Sequence, residues 1–287
     1  MEDVTELIAR LKHPSESLRR DAVEALGKIK DPAALPALLE ALQDGAARVR
    51  RNTAVALGKI GDREAVPALI ATLQRWEEGA CREAARALGE IKDPLAVPTL
   101  IEALQHRDVQ VRQEAAWALG EIKDVRAVPC LSQALQRWDQ DVRRTAAVAL
   151  GEISDRHAIP ALISVLLDND EELRLHAARA LGQIAASDPA PTLRFALPML
   201  DRLWYRDPVY EAVQERILAA TAGMKNLPLP ASAPPPDAKS LPRPATAPPV
   251  LPANLPIPAN PNAEKTTGLV PPARGWWNRL RRALRGS

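Results

Sequence analysis

Aromatic side chains are scarce in this sequence, in which 287 residues include six Trp, two Tyr and one Phe, so alanine and leucine must supply the core. Cysteine is equally rare. Cys81 and Cys130 are too few for a disulfide framework, which makes a reducing cytoplasm the expected compartment. No uncharged apolar run approaches the roughly 18 residues of a membrane-spanning helix. The acidic N-terminal segment lacks the apolar core of a signal peptide. We therefore expect a cytoplasmic protein.

The formal net charge of +2 conceals two segments of opposite sign. Residues 225–287 carry nine Lys or Arg against two Asp or Glu, and fifteen of the 27 prolines lie between residues 228 and 272. Residues 1–224 carry a net charge of −5. This division predicts a mildly acidic body joined to a basic, proline-rich tail.

The body repeats with a period of 31 residues. The motif A-L-G-x-I recurs with its glycine at Gly27, Gly58, Gly89, Gly120, Gly151 and Gly182. In the same register stand Pro36, Pro67, Pro98, Pro129 and Pro160, and also Asp31, Asp62, Asp93, Asp124 and Asp155. Self-similarity at a fixed period is the signature of a repeat architecture.

Each period predicts two helices. Residues 96–104 and 111–122 both show the i, i+3, i+4, i+7 spacing of an amphipathic helix. Asp108 and its equivalents Asp139 and Asp170 stand where a helix N-cap is expected. The proline falls early in the first helix, where its missing N–H costs least. The glycine near the end of the second helix indicates that a neighbouring helix approaches closely.

Stacked copies of such a hairpin bury a continuous core, which predicts an all-α fold, an α-solenoid of about seven stacked helix pairs. The pairs are expected at residues 2–29, 33–60, 64–91, 95–122, 126–153, 157–184 and, less regularly, 191–224. We predict a solenoid over residues 1–224, with 189–224 as an irregular capping repeat. A Pro/Ala-rich disordered linker follows over 225–273, and a basic amphipathic segment over 274–287.

The consensus V-R-x-x-A-A-x-A-L-G-x-I, followed by D-x-x-A-V-P-A-L-I-x-x-L, resembles the HEAT-like repeats first associated with phycobilisome lyases. The pairs Val111-Arg112 and Val142-Arg143 carry it most clearly, whereas the third repeat has Ala80-Cys81 at that place. The resemblance is strong over residues 1–184, weak over 185–224 and absent from the tail. It implies that the second helices line a concave face.

Positions 113 and 117 point away from the core face of their helix, because residues follow one another at 100° around a helix. Carried through the repeats, these positions predict a partner-binding surface. It consists of Arg51, Val55, Arg82, Arg86, Trp117, Arg144, Val148 and Arg179. Trp117 is expected to be exposed in the middle of the groove, as interface hot spots are. The alternative is that it lies flat across neighbouring helices.

Other conspicuous residues are predicted to be structural. Trp76 and Trp138 occupy equivalent inter-helix turns and are expected to seal neighbouring repeats, although they could also form an exposed ridge. A ladder of arginines is expected to bridge repeats near helix ends. Its members are Arg19, Arg50, Arg112, Arg143 and Arg174.

Nucleic acid is disfavoured as a partner, because the outward positions of the second helices hold eight basic and seven acidic residues. Catalysis and cofactors are not expected. The four histidines, His13, His106, His157 and His176, have no helical partners for a metal site. HEAT-like deoxyhypusine hydroxylases carry His-Glu pairs for iron, and this sequence has none.

The tail ends in a basic segment whose apolar and charged residues separate on a helical wheel. We predict that it anchors the chain to an anionic membrane or an acidic partner; the alternative is a disordered end that aids solubility. The anchor residues are Trp276, Trp277, Arg279, Leu280, Arg281, Arg282, Leu284 and Arg285.

These features predict a non-enzymatic scaffold or adaptor that binds protein through its concave face and is tethered by its tail. The resemblance implies one alternative, a lyase-like chaperone subunit that handles a chromoprotein. A second, disfavoured alternative is a metal-dependent hydroxylase.

Overall fold

The computed structural model describes residues 3–75, 79–166 and 168–187, and these residues contain twelve α-helices and no β-strand. The helices form six pairs, each a repeat of a shorter first helix and a longer second helix. They are α1 (Val4–Arg10), α2 (Glu16–Ile29), α3 (Leu35–Ala41), α4 (Ala47–Ile60), α5 (Val66–Gln74), α6 (Cys81–Ile91), α7 (Val97–Ala103), α8 (Val109–Ile122), α9 (Val128–Arg137), α10 (Gln140–Ile153), α11 (Ile159–Ser164) and α12 (Glu171–Ser187). The predicted solenoid of helix pairs is confirmed for these six repeats.

Capping aspartates and early prolines mark the starts of the helices at the predicted register. From the second repeat on, the periodic aspartate caps a turn of 3-10 helix, as Asp93 does by accepting a hydrogen bond from the backbone N–H of Leu95. The periodic proline is the second residue of the first α-helix that follows, where it replaces an N–H without an intrahelical partner. Asp108 caps α8 by accepting from the N–H of Gln110. These contacts explain why the sequence period is also the structural period.

The second helices stack side by side in chain order, and each also packs against the first helix of its own repeat. The leucine of each A-L-G-x-I motif is fully buried between them. This column consists of Leu26, Leu57, Leu88, Leu119, Leu150 and Leu181. A single hairpin would leave these faces in water, so the stacking of neighbours creates the core.

The periodic glycines allow the second helices to approach closely, as the sequence predicts. A Cβ atom placed on Gly120 would lie 2.8 Å from the Cα of Ala149 in the next repeat. Gly89 faces Ala118 at the same distance. Real Cβ atoms do not approach other heavy atoms so closely, so glycine is required here by packing, although it costs about 1 kcal/mol of helix propensity relative to alanine.

The arginine ladder bridges repeats at the loop edge, as predicted, at Arg19, Arg112 and Arg143. Arg19 donates from Nε and Nη2 to Asp44 of the second repeat, at 2.6 and 2.9 Å. Arg143 binds Asp168 of the next repeat through both Nη atoms, and Arg112 donates one hydrogen bond from Nη2 to Asp139. These contacts fix the spacing between hairpins.

Arg50 and Arg174 donate to backbone carbonyls of the turn before their own helices, as Arg19 and Arg112 also do. Trp138 is half-buried, and the guanidinium of Arg112 lies 4.7 Å from its ring centroid. The predicted sealing role is therefore confirmed for Trp138. Trp76 lies outside the described residues.

The described residues all belong to the first of two units, Met1–Gly223, and the second unit is Met224–Ser287. The predicted capping repeat at 189–224, the linker at 225–273 and the C-terminal segment at 274–287 lie outside the described residues.

Candidate functional site

The predicted partner-binding residues all lie on the second helices, on a surface that we call the second-helix face. Arg51 and Val55 belong to α4, Arg82 and Arg86 to α6, Trp117 to α8, Arg144 and Val148 to α10, and Arg179 to α12. Solvent reaches them to different degrees. Exposed are Arg51, Arg82, Arg86, Val148 and Arg179, and half-buried are Val55, Trp117 and Arg144.

The expectation that Trp117 is exposed is wrong, because its indole ring is half-buried against the preceding helix. A Cβ atom placed on Gly89 of α6 would lie 2.8 Å from Cζ3 of the ring. The absence of a side chain at Gly89 therefore leaves room for the indole. This is the alternative in which Trp117 lies across neighbouring helices, and it leaves only part of the ring available to a partner.

Two clefts of this face lie between α4 and α6 and beside the loop before α8. One cleft, of about 540 Å³, is lined by residues of both charges, Arg51, Gly79, Arg82, Glu83, Arg107, Asp108 and Gln110. A smaller cleft of about 220 Å³ is lined by Val55, Lys59, Arg82, Glu83, Arg86, Ala87 and Glu90. Arg82 and Glu83 border both clefts, so they stand at the centre of the site.

In this region the arginines lie above the carboxylates. The side chains of Arg51, Arg82 and Arg86 are 44–55% exposed, whereas the carboxylates with which they pair are 16% (Glu83), 18% (Glu114) and 31% (Glu90) exposed. The ion pairs are long, with 3.6 Å between Arg51 Nε and Glu83 Oε1 and 3.4 Å between Arg82 Nε and Glu114 Oε1. Among the described residues, the Nη atoms of Arg82 and Arg86 have no hydrogen bond. A partner approaching this face therefore meets guanidinium groups first.

Glu83 forms the floor between the two clefts. Burial raises the pKa of its carboxyl above the ordinary value, and the nearby charges of Arg82 and Arg51 only partly oppose this rise. Its Oε2 atom is buried and accepts no hydrogen bond within the described part of the chain. Burial thus disfavours the ionised form of the carboxyl that lies beneath the arginines.

At the other end of the face the order of the charges is reversed. Arg144 is 29% exposed and donates from Nε and Nη2 to Asp170, at 2.8 and 2.9 Å, and Asp170 is buried at 3% exposure. The hydrogen bond from Arg144 holds the pKa of the Asp170 carboxyl below its ordinary value. Glu172 pairs with the same guanidinium and is 62% exposed, so solvent meets a carboxylate here. Because Arg144 is already paired with Asp170 and Glu172, we leave it out of the binding surface.

Sequence reasoning missed the contribution of the loop before α8. Arg107 and Gln110 line the larger cleft, although neither belongs to positions 113 or 117. Gln110 lies about one turn before position 113, so extending the helical face toward its N-terminus would have found it, whereas Arg107 precedes the start of α8 at Val109. The predicted tail anchor, Trp276, Trp277, Arg279, Leu280, Arg281, Arg282, Leu284 and Arg285, lies outside the described residues.

The pattern of paired helices, close glycine contacts and capping aspartates agrees with a comparison to known families. The family of HEAT repeats matches residues 4–85, 77–148 and 131–220. This chain belongs to the HEAT-repeat family.

Several solved structures are similar to this chain. The complex of CpcE and CpcF of phycocyanin lyase from Nostoc sp. PCC7120 is 30% identical, with a TM-score of 0.51, over 77% of this chain and 95% of that chain. An engineered protein is 26% identical, with a TM-score of 0.50, over 77% of this chain and 69% of that one. Human deoxyhypusine hydroxylase is 23% identical, with a TM-score of 0.36 over 63% of this chain and 84% of that one, too distant to carry its activity to this HEAT-repeat chain. No curated protein matches the chain.

The described part of this HEAT-repeat chain offers few groups for chemistry. Within it, no three His, Cys, Asp or Glu side chains lie together as a metal site would require, and no helix is long and apolar enough to cross a membrane. The Nδ1 atom of His106 accepts from the N–H of Asp108, a capping contact. Burial raises the pKa of the Cys130 thiol, which disfavours the reactive thiolate. The second-helix face is therefore the candidate site on which we base the function.

Proposed function

We propose that this HEAT-repeat protein is a non-enzymatic, cytoplasmic scaffold that binds a protein partner through its second-helix face. One observation carries the proposal: two clefts, exposed arginines and the exposed Val148 lie on the face of a stacked-helix fold. Arginine and aromatic side chains are enriched at protein interfaces, and here Arg82, Arg86 and part of Trp117 are accessible.

A matched pair of valine variants tests this proposal. Val148 is 40% exposed on the second-helix face, and Val125 is 56% exposed in the 3-10 turn before α9. The full chain is immobilised and its captured proteins are quantified by mass spectrometry, for the wild type, Val148→Asp and Val125→Asp. We expect Val148→Asp to lose the partner and Val125→Asp to retain it, because a charge placed in an interface is desolvated without a partner. Equal capture by all three proteins would contradict the proposal.

The likeness to the phycocyanin lyase complex favours a second candidate, a lyase-like subunit that handles a chromoprotein. That neighbour contains two different chains, so this protein would act with a second subunit. The purified chain is mixed with phycocyanin, and complex formation and bilin absorbance are followed by gel filtration. Co-elution would favour this candidate over a general scaffold, whereas no co-elution and an unchanged absorbance would count against it.

We further propose that residues 274–287 tether the scaffold, because Trp276, Trp277, Leu280 and Leu284 share one side of a helical wheel with arginines opposite. Co-sedimentation with phosphatidylserine vesicles is compared for the full chain and a chain ending at residue 273. The full chain is expected to bind more strongly at low salt. Equal binding would exclude a membrane tether.

A further inference from the structure

Resting on the proposed function, we propose that the second-helix face takes an extended acidic segment of the partner. Its carboxylates bind over α4 and α6, and its apolar side chains bind beside Trp117 and Val148. The acidic character of this segment is inferred from how exposed each charged side chain is, not from the number of basic and acidic residues. The side chains of Arg51, Arg82 and Arg86 are 44–55% exposed, and each is more exposed than the carboxylate with which it pairs, at 16–31%.

Carboxylate is the group that these clefts are best arranged to bind. The Nη atoms of Arg82 and Arg86 carry donors without hydrogen bonds in the described part of the chain, and they border a cleft of about 220 Å³. A guanidinium binds a carboxylate through two parallel N–H donors. Glu83 lies beneath these arginines with its side chain 16% exposed, so an anion meets the guanidinium groups before it meets this carboxyl.

The apolar end of the segment follows from the next two second helices. Trp117 is half-buried on α8 and Val148 is exposed on α10, at the position equivalent to Arg86 on α6. Neighbouring packed helices lie about 8–10 Å apart, so α6 and α10 are separated by about 16–20 Å. An extended peptide rises about 3.3 Å per residue, so five or six residues span this distance.

The far end of the face favours a segment whose acidic residues lie at one end alone. The exposed Glu172 on α12 and Asp141 on α10 present negative charge in the first turns of these helices, whereas the exposed Arg179 lies on α12 in the row of Val148. A nucleic-acid strand carries phosphates along its whole length and would meet these two carboxylates. A segment with acidic residues over α4 and α6 alone avoids them.

Fluorescence polarisation with defined probes tests the inference on the full chain. The probe is a fluorescein-labelled peptide of about twelve residues, in which alternate glutamates are followed by two leucines. A peptide with glutamine in place of glutamate and an oligothymidylate of about the same length serve as controls. The double variant Arg82→Ala/Arg86→Ala is compared with Arg63→Ala/Arg156→Ala, which removes the same charge from exposed arginines in the 3-10 turns before α5 and α11.

We expect wild type to bind the acidic peptide at least about tenfold more tightly than the glutamine peptide, since hydrogen bonds to charged groups are the stronger ones. Arg82→Ala/Arg86→Ala should lose about tenfold in affinity, while Arg63→Ala/Arg156→Ala should lose less than about twofold. Circular dichroism melting curves establish that each variant is folded. Tighter binding of oligothymidylate, no binding of the acidic peptide, or an equal loss in both double variants would each overturn the inference. If the peptide fails while Val148→Asp still loses the captured partner, this inference is wrong and the proposed scaffold function stands.

Discussion

Repeats two and three differ from repeats five and six in how deeply the carboxylates of their ion pairs are buried. In both regions an arginine of one second helix reaches a carboxylate of the next repeat. Arg51 reaches Glu83 with 3.6 Å between Nε and Oε1, and Arg82 reaches Glu114 with 3.4 Å between Nε and Oε1. Arg144 instead binds the buried Asp170 through two short hydrogen bonds.

This difference separates structural charge from charge that is available to a partner. Removal of a buried carboxylate with two good hydrogen bonds is costly, because its half-buried guanidinium partner loses both of them. Exposed arginines in long ion pairs contribute little to stability, typically 0–1 kcal/mol. The first kind holds α10 to α12, and the second leaves α4 and α6 able to bind.

The largest effect is expected where the charge is most buried. Asp170→Ala should lower the free energy of unfolding by about 2 kcal/mol, because it removes the partner of Arg144 and the N-terminal cap of α12. Urea denaturation followed by circular dichroism measures the loss.

Glu172→Ala is the matched control for this change, since Glu172 pairs with the same arginine and is 62% exposed. We expect it to cost less than about 0.5 kcal/mol, as exposed pairs do. If the two variants were equally destabilised, burial of the carboxylate would not be the property that distinguishes the two regions.

Acid should weaken the fifth and sixth repeats through the same carboxylate. The pKa of Asp170 is lowered by its hydrogen bond with Arg144, and that of Asp44 by its hydrogen bond with Arg19. A lowered folded pKa stabilises the protein above the ordinary aspartate pKa of about 3.9, and this stability is lost as the pH falls through the folded value.

Thermal melting between about pH 6 and pH 2 tests this dependence. The melting temperature of wild type should fall in the acid range, and that of Asp170→Ala should fall less steeply because one linked group is gone. Parallel curves for the two proteins would show that Asp170 is not linked to folding.

The fold is predictable from the sequence because its determinants are local and repeated. The 31-residue period, the capping Asp93 and Asp108 and the close packing of Gly89 and Gly120 are all readable from residue types at fixed spacing. Residue counts along the second helices cannot show which charge is outermost. Depth depends on how far each side chain reaches and on what the next repeat places opposite it.

The exposure of Trp117 is unpredictable for a related reason. A helical wheel describes one helix and places this residue opposite the core of α8. The space above Gly89, into which the indole leans, belongs to the preceding helix. A position that faces away from its own core can thus be covered by a neighbour wherever the stacking is this close.

The smallest effect is expected at the floor of the clefts, where Glu83→Gln should strengthen binding of the acidic peptide by a factor of about two to five, because it removes a negative charge beneath the arginines.

Burial raises the pKa of Glu83, so its contribution to stability has the opposite sign to that of Asp170. It is fully present below the ordinary glutamate pKa of about 4.3 and is lost as the pH rises through the folded value. Glu83→Gln should therefore be at least as stable as wild type at pH 7, and this advantage should disappear near pH 4. Weaker peptide binding or a lower melting temperature at pH 7 would mean that Glu83 holds Arg51 and Arg82 in place, as Asp170 holds Arg144, and the two ends of the face would then be alike.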